Sequence, residues 1–391
     1  MFLRLLCVQE GCCFGGYCKK YPFRQIGQVK GRGEKNMDLF EHGGRGSRNI
    51  RYDFSANINP LGMPAGVLAA LKDSLCRAVR YPEADSLSLR EAIAGDWETK
   101  AENVVCTNGA SELIYAAVRA LQPAAGLLPA PTFSEYERAF LSAGCPVRYY
   151  PLKRDNGFRA DEEFLAFLEK QEAGSLLFLC NPNNPTGSCT EPSLMERIVK
   201  LTAEKGIWLA VDEAFLAFSG EYRQRSMRRY FRDYGNLLIL NAFTKLYAMP
   251  GLRLGYGICE NREVIRRILL QLPAWNVSIP AQAAGLAALK EKTYVEETVA
   301  YIAREQAFLR EGLAKVPRLV YRVYPPMANY IFLEGAPGLD RLLADKGIAI
   351  RSCENYRQLR TGDYRIAVRS RTENEALLRA LMEEEAAWQK I

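Results

Sequence analysis

A single histidine, His42, occurs among 391 residues. That scarcity excludes multi-histidine metal sites and any Ser-His-Asp triad needing a second, free histidine. Proton transfer therefore falls to Lys, Tyr, Cys or carboxylates. No apolar run is long enough to span a bilayer. The opening Met-Phe-Leu-Arg-Leu-Leu-Cys is too short for the apolar core of a signal peptide, and no small-residue cleavage site follows it. A cytoplasmic protein without membrane partners is the expectation.

Charge of one sign is also missing from most of the chain. The formal net charge is +7, but residues 1–36 hold seven Lys/Arg against two Asp/Glu and so carry +5 of it. The remainder is close to neutral, which argues against a nucleic-acid-binding face. Any basic function in the body must be a local pocket. Seven of the eleven cysteines (Cys76, Cys106, Cys145, Cys180, Cys189, Cys259, Cys353) are scattered through residues 37–391, mostly in or beside apolar runs. They read as reduced core thiols.

With 48% hydrophobic and 25% charged residues, the composition is that of an ordinary globular protein. Residues 1–36 read as a basic leader, with Met37 as an alternative start. Cys7, Cys12, Cys13 and Cys18 supply enough thiolates for a metal, but their spacing matches no usual ligand pattern. Residues 37–75 read as an N-terminal arm, in which Asp53-Phe54-Ser55-Ala56-Asn57-Ile58-Asn59-Pro60-Leu61-Gly62 concentrates turn formers. Residues 76–285 alternate apolar strand-like runs with helical stretches, predicting a large α/β domain with a mostly parallel sheet. Strands are expected at 103–107, 126–128, 175–180, 206–212, 236–240 and 252–259, and helices from about 88 and through 121. Residues 286–391 predict a smaller α+β domain, with a helix over 290–314, strands at 327–333, 347–352 and 364–369, and a capping box at Thr372 to Glu375.

Candidate chemistry gathers at the ends of the apolar runs. Lys245 follows Leu237-Leu238-Ile239-Leu240, where a desolvated amine would have a lowered pKa suited to nucleophilic attack. Asp212 closes another apolar run and needs a cation or a donor there. Asn108-Gly109-Ala110-Ser111 forms a strand-to-helix turn, a geometry that cradles phosphate. Taken singly, these read as a surface lysine, a helix cap and an ordinary turn. Taken with Asn184-Pro185-Thr186-Gly187 and Arg253, they supply the parts of a pyridoxal phosphate site.

The set Asn184-Pro185-Thr186-Gly187, Asp212, Lys245 and Arg253 resembles the fold-type-I pyridoxal-phosphate-dependent enzymes over residues 38–391. Further motifs are similar to those of the threonine-phosphate decarboxylases of cobalamin biosynthesis. They are His42-Gly43-Gly44, the 53–62 stretch, Asp212-Glu213-Ala214-Phe215, Ala328-Asn329-Tyr330, Ile350-Arg351-Ser352-Cys353 and Tyr364 to Ser370. Histidinol-phosphate aminotransferases share the core motifs but usually carry tyrosine where Phe215 stands. The resemblance implies pyridoxal 5'-phosphate bound covalently at Lys245, with Asp212 at its ring nitrogen, Asn184 at its phenolic oxygen and Phe133 stacked on its ring. It implies a phosphate site of Gly109, Ala110, Ser111, Thr244 and Arg253, joined by Tyr81 from a partner subunit of a homodimer. A small phosphorylated amino acid would meet His42, Gly43, Asn57, Asn184, Arg351 and Arg365. Arg45, where the family has Asn, and Ala242, which lacks a hydroxyl, depart from the pattern. The implied reaction is decarboxylation of O-phospho-L-threonine, with O-phosphoserine or a histidinol-phosphate-type amino transfer as alternatives.

Overall fold

The computed structural model describes residues 43–44 and 49–388. His42, Arg45 and the cysteines at 7, 12, 13 and 18 lie outside the described residues.

A seven-stranded sheet runs through the middle of the chain, in the spatial order Val104–Thr107, Gly255–Ile258, Leu237–Ala242, Trp208–Asp212, Leu176–Cys180, Gly126–Ala130, Val147–Pro151. The pairs among 126–130, 147–151, 176–180, 208–212 and 237–242 are all parallel. Only the 255–258 strand runs against its neighbours on both sides. The architecture is the α/β class expected from the alternation. Parallel strands are covered by helices on both faces, so their sequences read as unbroken apolar runs. Leu176–Cys180 is buried at every position, and Leu237, Leu238, Ile239 and Leu240 are each at most 2% exposed. Burying such side chains contributes roughly 1.5–3 kcal/mol apiece.

Two strands do not follow the expected pattern. Val147–Pro151 lies at the sheet edge, partly exposed and ending in proline. It therefore has neither the continuous apolar run nor the strict alternation that marks a strand in sequence. The expected 252–259 strand is shorter: Pro250–Leu252 forms a 3₁₀ turn and Arg253 sits at φ 55°, so the strand begins only at Gly255.

A second, antiparallel sheet has the order Arg351–Ser352, Asp363–Ala367, Tyr330–Gly335, Val320–Val323. Beside it Tyr52–Asp53 pairs in parallel with Ile348–Ala349, attaching the arm to this part of the molecule. The expected 347–352 strand is thus two short ones that belong to different sheets. The helices Lys292–Leu313 and Arg371–Trp388 pack on this region. The last helix is capped two residues earlier than the sequence predicts. Ser370 N–H donates to Glu373 Oε2 (3.0 Å) and Glu373 N–H to Ser370 Oγ (3.4 Å), which is the reciprocal box. Thr372 instead lies inside the helix.

Candidate active site

The carboxyl ends of parallel strands are where open α/β sheets place ligands, because the connecting loops and helix N-termini converge there. Asn108-Gly109 follows the 104–107 strand, Phe133 follows 126–130, Asn184 follows 176–180, Asp212 ends 208–212 and Lys245 follows 237–242. Cys180, Asp212 and Leu240 are in register across three adjacent strands. Because 255–258 runs in reverse, its amino end lies at this same edge and brings Arg253 with it.

Lys245 lies one turn beyond its strand, on the short helix Phe243–Leu246. Burial, reinforced by the positive charges of Arg365 and Arg253, lowers its amine to about 8, against the opposing pull of Asp212. Its Nζ stands 5.6 Å from the centre of the Phe215 ring. Asp212 is 6% exposed. Its Oδ2 accepts from Tyr136 Oη (2.7 Å) and its Oδ1 from the Ala214 N–H (3.0 Å). Burial still raises its pKa above the usual carboxylate range, the two donors and Lys245 only partly offsetting it. Among the described residues no cation comes within ion-pairing distance of Asp212. The Ala214 bond is the local turn expected of a plain capping aspartate, but the buried Tyr136 bond, across 76 residues, exceeds that reading.

Gly109, Ala110 and Ser111 form the start of the helix Ala110–Leu121. A Cβ on Gly109 would lie 2.5 Å from Arg253 Nη2, so the guanidinium packs directly on that turn. A Cβ on Gly255 would meet the Ala110 nitrogen at 2.4 Å. Glycine at both positions is what lets the arginine and the helix N-terminus approach. Arg253 holds the left-handed backbone conformation, a strained one for a side-chain-bearing residue. Thr244 is buried at the start of the lysine's helix. Phe133 is half-buried at the N-cap of Ser134–Ser142, its ring edge-to-face with Tyr136 at 5.6 Å.

Arg365 is buried and reaches over from the second sheet. Its Nη1 donates to Asn184 Oδ1 (2.5 Å) and its Nη2 to the Ser55 carbonyl (2.8 Å), while its Nε has no partner. Arg351, directly opposite it across the strand pair, donates to Asn355 Oδ1 (3.0 Å). Gly43 packs against the Ser55 carbonyl near Arg365, and Asn57 is buried with its Oδ1 unpartnered. Tyr81 is not gathered with these residues. It is 80% exposed, its ring 4.8 Å from that of Trp275.

Sequence reasoning missed Tyr136, Phe215 as a neighbour of the amine, and Ser55 as a partner of Arg365. Tyr136 carries a faint signal, since it follows Phe133 by three residues and so shares its helix face. The backbone carbonyl of Ser55 carries none. Altogether the surroundings fit pyridoxal phosphate. A lysine with a lowered pKa suits an aldehyde, a buried carboxylate without a cation suits a protonated ring nitrogen, and a glycine-lined helix N-terminus beside an arginine suits a phosphate.

Comparison with known proteins points the same way. The family model for aminotransferase class I and II matches residues 50–381. A threonine-phosphate decarboxylase of Salmonella typhimurium is 37% identical, over 84% of this chain and 90% of that protein. A histidinol-phosphate aminotransferase of Archaeoglobus fulgidus is 32% identical, over 85% of this chain and 92% of that protein. The crystal structure of the histidinol-phosphate aminotransferase from Clostridium acetobutylicum superposes with a TM-score of 0.80 at 30% identity, covering 86% of this chain and 99% of that one.

Proposed function

Because the chain belongs to aminotransferase class I and II, a family of pyridoxal-phosphate-dependent enzymes, we propose that it decarboxylates O-phospho-L-threonine. The products are (R)-1-aminopropan-2-yl phosphate and carbon dioxide, the former serving the aminopropanol arm of cobalamin. The reading carries with it a homodimer working in the cytoplasm, in which the partner's copy of the exposed Tyr81 completes the cofactor site.

Bound pyridoxal phosphate supplies an electron sink for the bond that breaks at the substrate's α carbon. The residues of this chain set where that sink acts. Asp212, held by Tyr136 and the Ala214 N–H, would keep a proton on the cofactor's ring nitrogen. Lys245 Nζ, with its pKa near 8, can give or take a proton close to neutral pH. Arg351 and Arg365 bind the substrate's phosphate and thereby orient the rest of it. Gripping the phosphate on these two arginines would fix the substrate's remote end, and the proposal requires that this leave the α carboxylate as the group lost.

The observation carrying this proposal is the pair of buried arginines on facing strands, Arg365 bonded to Asn184, which is the type of donor that grips a phosphate. The Salmonella relative supports the decarboxylase reading, while the similarity to histidinol-phosphate aminotransferases keeps amino transfer as the second reading. Purified holoenzyme given O-phosphothreonine should release one carbon dioxide per substrate without a keto acid. Amino transfer that depends on a keto acid, with no carbon dioxide, would replace the proposal by the second reading. Running O-phosphoserine in parallel sets the preference, since one methyl group is worth only about 1–3 kcal/mol.

A further inference from the structure

The arm segment 53–62 is strung between two functional groups. Towards its start, the Ser55 carbonyl takes a hydrogen bond from Arg365 (2.8 Å), and Ser55 itself is turned inward by Asp53, whose Oδ1 accepts from the Ser55 N–H (2.8 Å). Towards its end, Asn59 is 2% exposed and fully engaged. Its amide nitrogen donates to the Leu246 carbonyl (2.7 Å) and to Thr298 Oγ1 (2.9 Å), while its Oδ1 accepts from the Leu61 N–H (3.1 Å). One amide thus ties the arm to two segments that lie 187 and 239 residues from it in sequence.

Leu246 is the residue after Lys245 and the last of the helix Phe243–Leu246. A helix of four residues cannot sustain itself, because nucleation is unfavourable and its carbonyl ends lack internal partners. What fixes the direction in which Lys245 leaves the backbone must therefore come from outside the helix. Asn59 provides such a hold, and its second amide hydrogen goes to Thr298, buried on the Lys292–Leu313 helix.

We propose that Asn59 is a positioning residue for Lys245, holding the lysine's helix through the Leu246 carbonyl so that the arm's docking on Arg365 and the placement of the amine are set together. The proposal rests on the reading of Lys245 as the cofactor-bearing lysine. It separates Asn59, whose amide is taken up by Leu246, Thr298 and Leu61, from its near neighbour Asn57, whose Oδ1 has no partner among the described residues. It also explains why a stretch of turn formers, without regular structure beyond its first residue, is so deeply covered: Phe54, Ser55, Asn57 and Asn59 are all buried.

The test compares Asn59→Ala and Thr298→Val in the full chain. Both lose a buried hydrogen bond, but only the first frees the Leu246 carbonyl. In apoenzyme, the pH dependence of reductive methylation at Lys245, read by peptide mass spectrometry, gives the amine's midpoint. In holoenzyme, kcat and KM are measured. Asn59→Ala should raise the midpoint from about 8 by about half a unit or more, as the loosened amine gains solvent. It should lower kcat about tenfold while KM changes less than about threefold. Thr298→Val should lower the melting temperature but move the midpoint little. Asn59→Leu, with the same branching and number of side-chain heavy atoms but no donor, should reproduce the shift if the alanine variant fails to fold. An unmoved midpoint in the Asn59 variants, or an equal shift in Thr298→Val, overturns the proposal. Lys245→Ala is the separate control: if it keeps the holoenzyme's visible absorbance band, the reading of Lys245 fails, whatever Asn59 does.

Discussion

Arg351 and Arg365 occupy directly opposed positions on neighbouring antiparallel strands, and each is only 5% exposed. Like charges directly opposed on a sheet repel, and burial removes the water that would screen them. Hydrogen bonds from Arg365 to Asn184 and the Ser55 carbonyl, and from Arg351 to Asn355, offset part of this. Arg351→Met and Arg365→Met should each lower kcat/KM for the phosphorylated substrate by about 10- to 150-fold, the range expected for losing a hydrogen bond to a charged group. Lysine at either position should not restore activity, because it lacks the planar two-pronged donor. In holoenzyme, inorganic phosphate should raise the melting temperature of the wild type more than of either variant. Equal shifts would place the anion elsewhere.

The lysine makes a prediction about pH. Its folded pKa of about 8 lies below the 10.5 of an ordinary lysine, so between those values the unfolded chain binds more protons than the folded one. Stability of the apoenzyme should therefore rise with pH across that window, the penalty being fully present below about 8. Lys245→Met removes the ionisable amine. It should make the apoenzyme more stable near pH 7 and flatten the rise, as checked by urea denaturation at several pH values.

Tyr136→Phe deletes one hydroxyl and little volume. Asp212 then loses a donor that opposes the upward push of burial on its pKa. The carboxylate should be protonated at higher pH than in the wild type, so the acid limb of the kcat profile should move upward. At neutral pH kcat should fall about 5- to 30-fold, corresponding to a loss of about 1–2 kcal/mol. A fall in kcat with an unmoved acid limb would mean that the tyrosine acts only through packing.

Gly109→Ala tests the phosphate cradle. Gly109 has φ 79°, and the added methyl would collide with Arg253 Nη2. Arg253 must swing away or the turn must change conformation. Equilibrium dialysis should show pyridoxal phosphate binding weakened by about tenfold or more, while the far-ultraviolet circular dichroism of the apoenzyme is kept.

The sheet and most of the site were legible because they are written in local patterns. Continuous apolar runs announced the buried strands, and the residues just after them, Gly109, Asn184, Asp212 and Lys245, inherited their positions from strand polarity. The strand 147–151 was not legible, because an edge strand is half wet and lacks a periodic signature. Nor were Tyr136 against Asp212 or the Ser55 carbonyl against Arg365. Both depend on how segments far apart in sequence pack, and a backbone carbonyl is the same in every residue. The shift of the last helix's cap from Thr372 to Ser370 is a smaller case. Two candidate boxes overlap in Ser370-Arg371-Thr372-Glu373-Asn374-Glu375, and the one formed is Ser370 with Glu373.

The reversal of the 255–258 strand has a consequence for dynamics. Lys245 and Arg253 belong to one excursion, residues 243–254, that leaves the sheet on a strand and returns on the adjacent one. Both ends of the loop are clamped by the same ladder, so its amides should open to deuterium as one cooperative block. Loading the cofactor, which would grip that block at two points eight residues apart, should slow exchange throughout it and not merely at the two contacts.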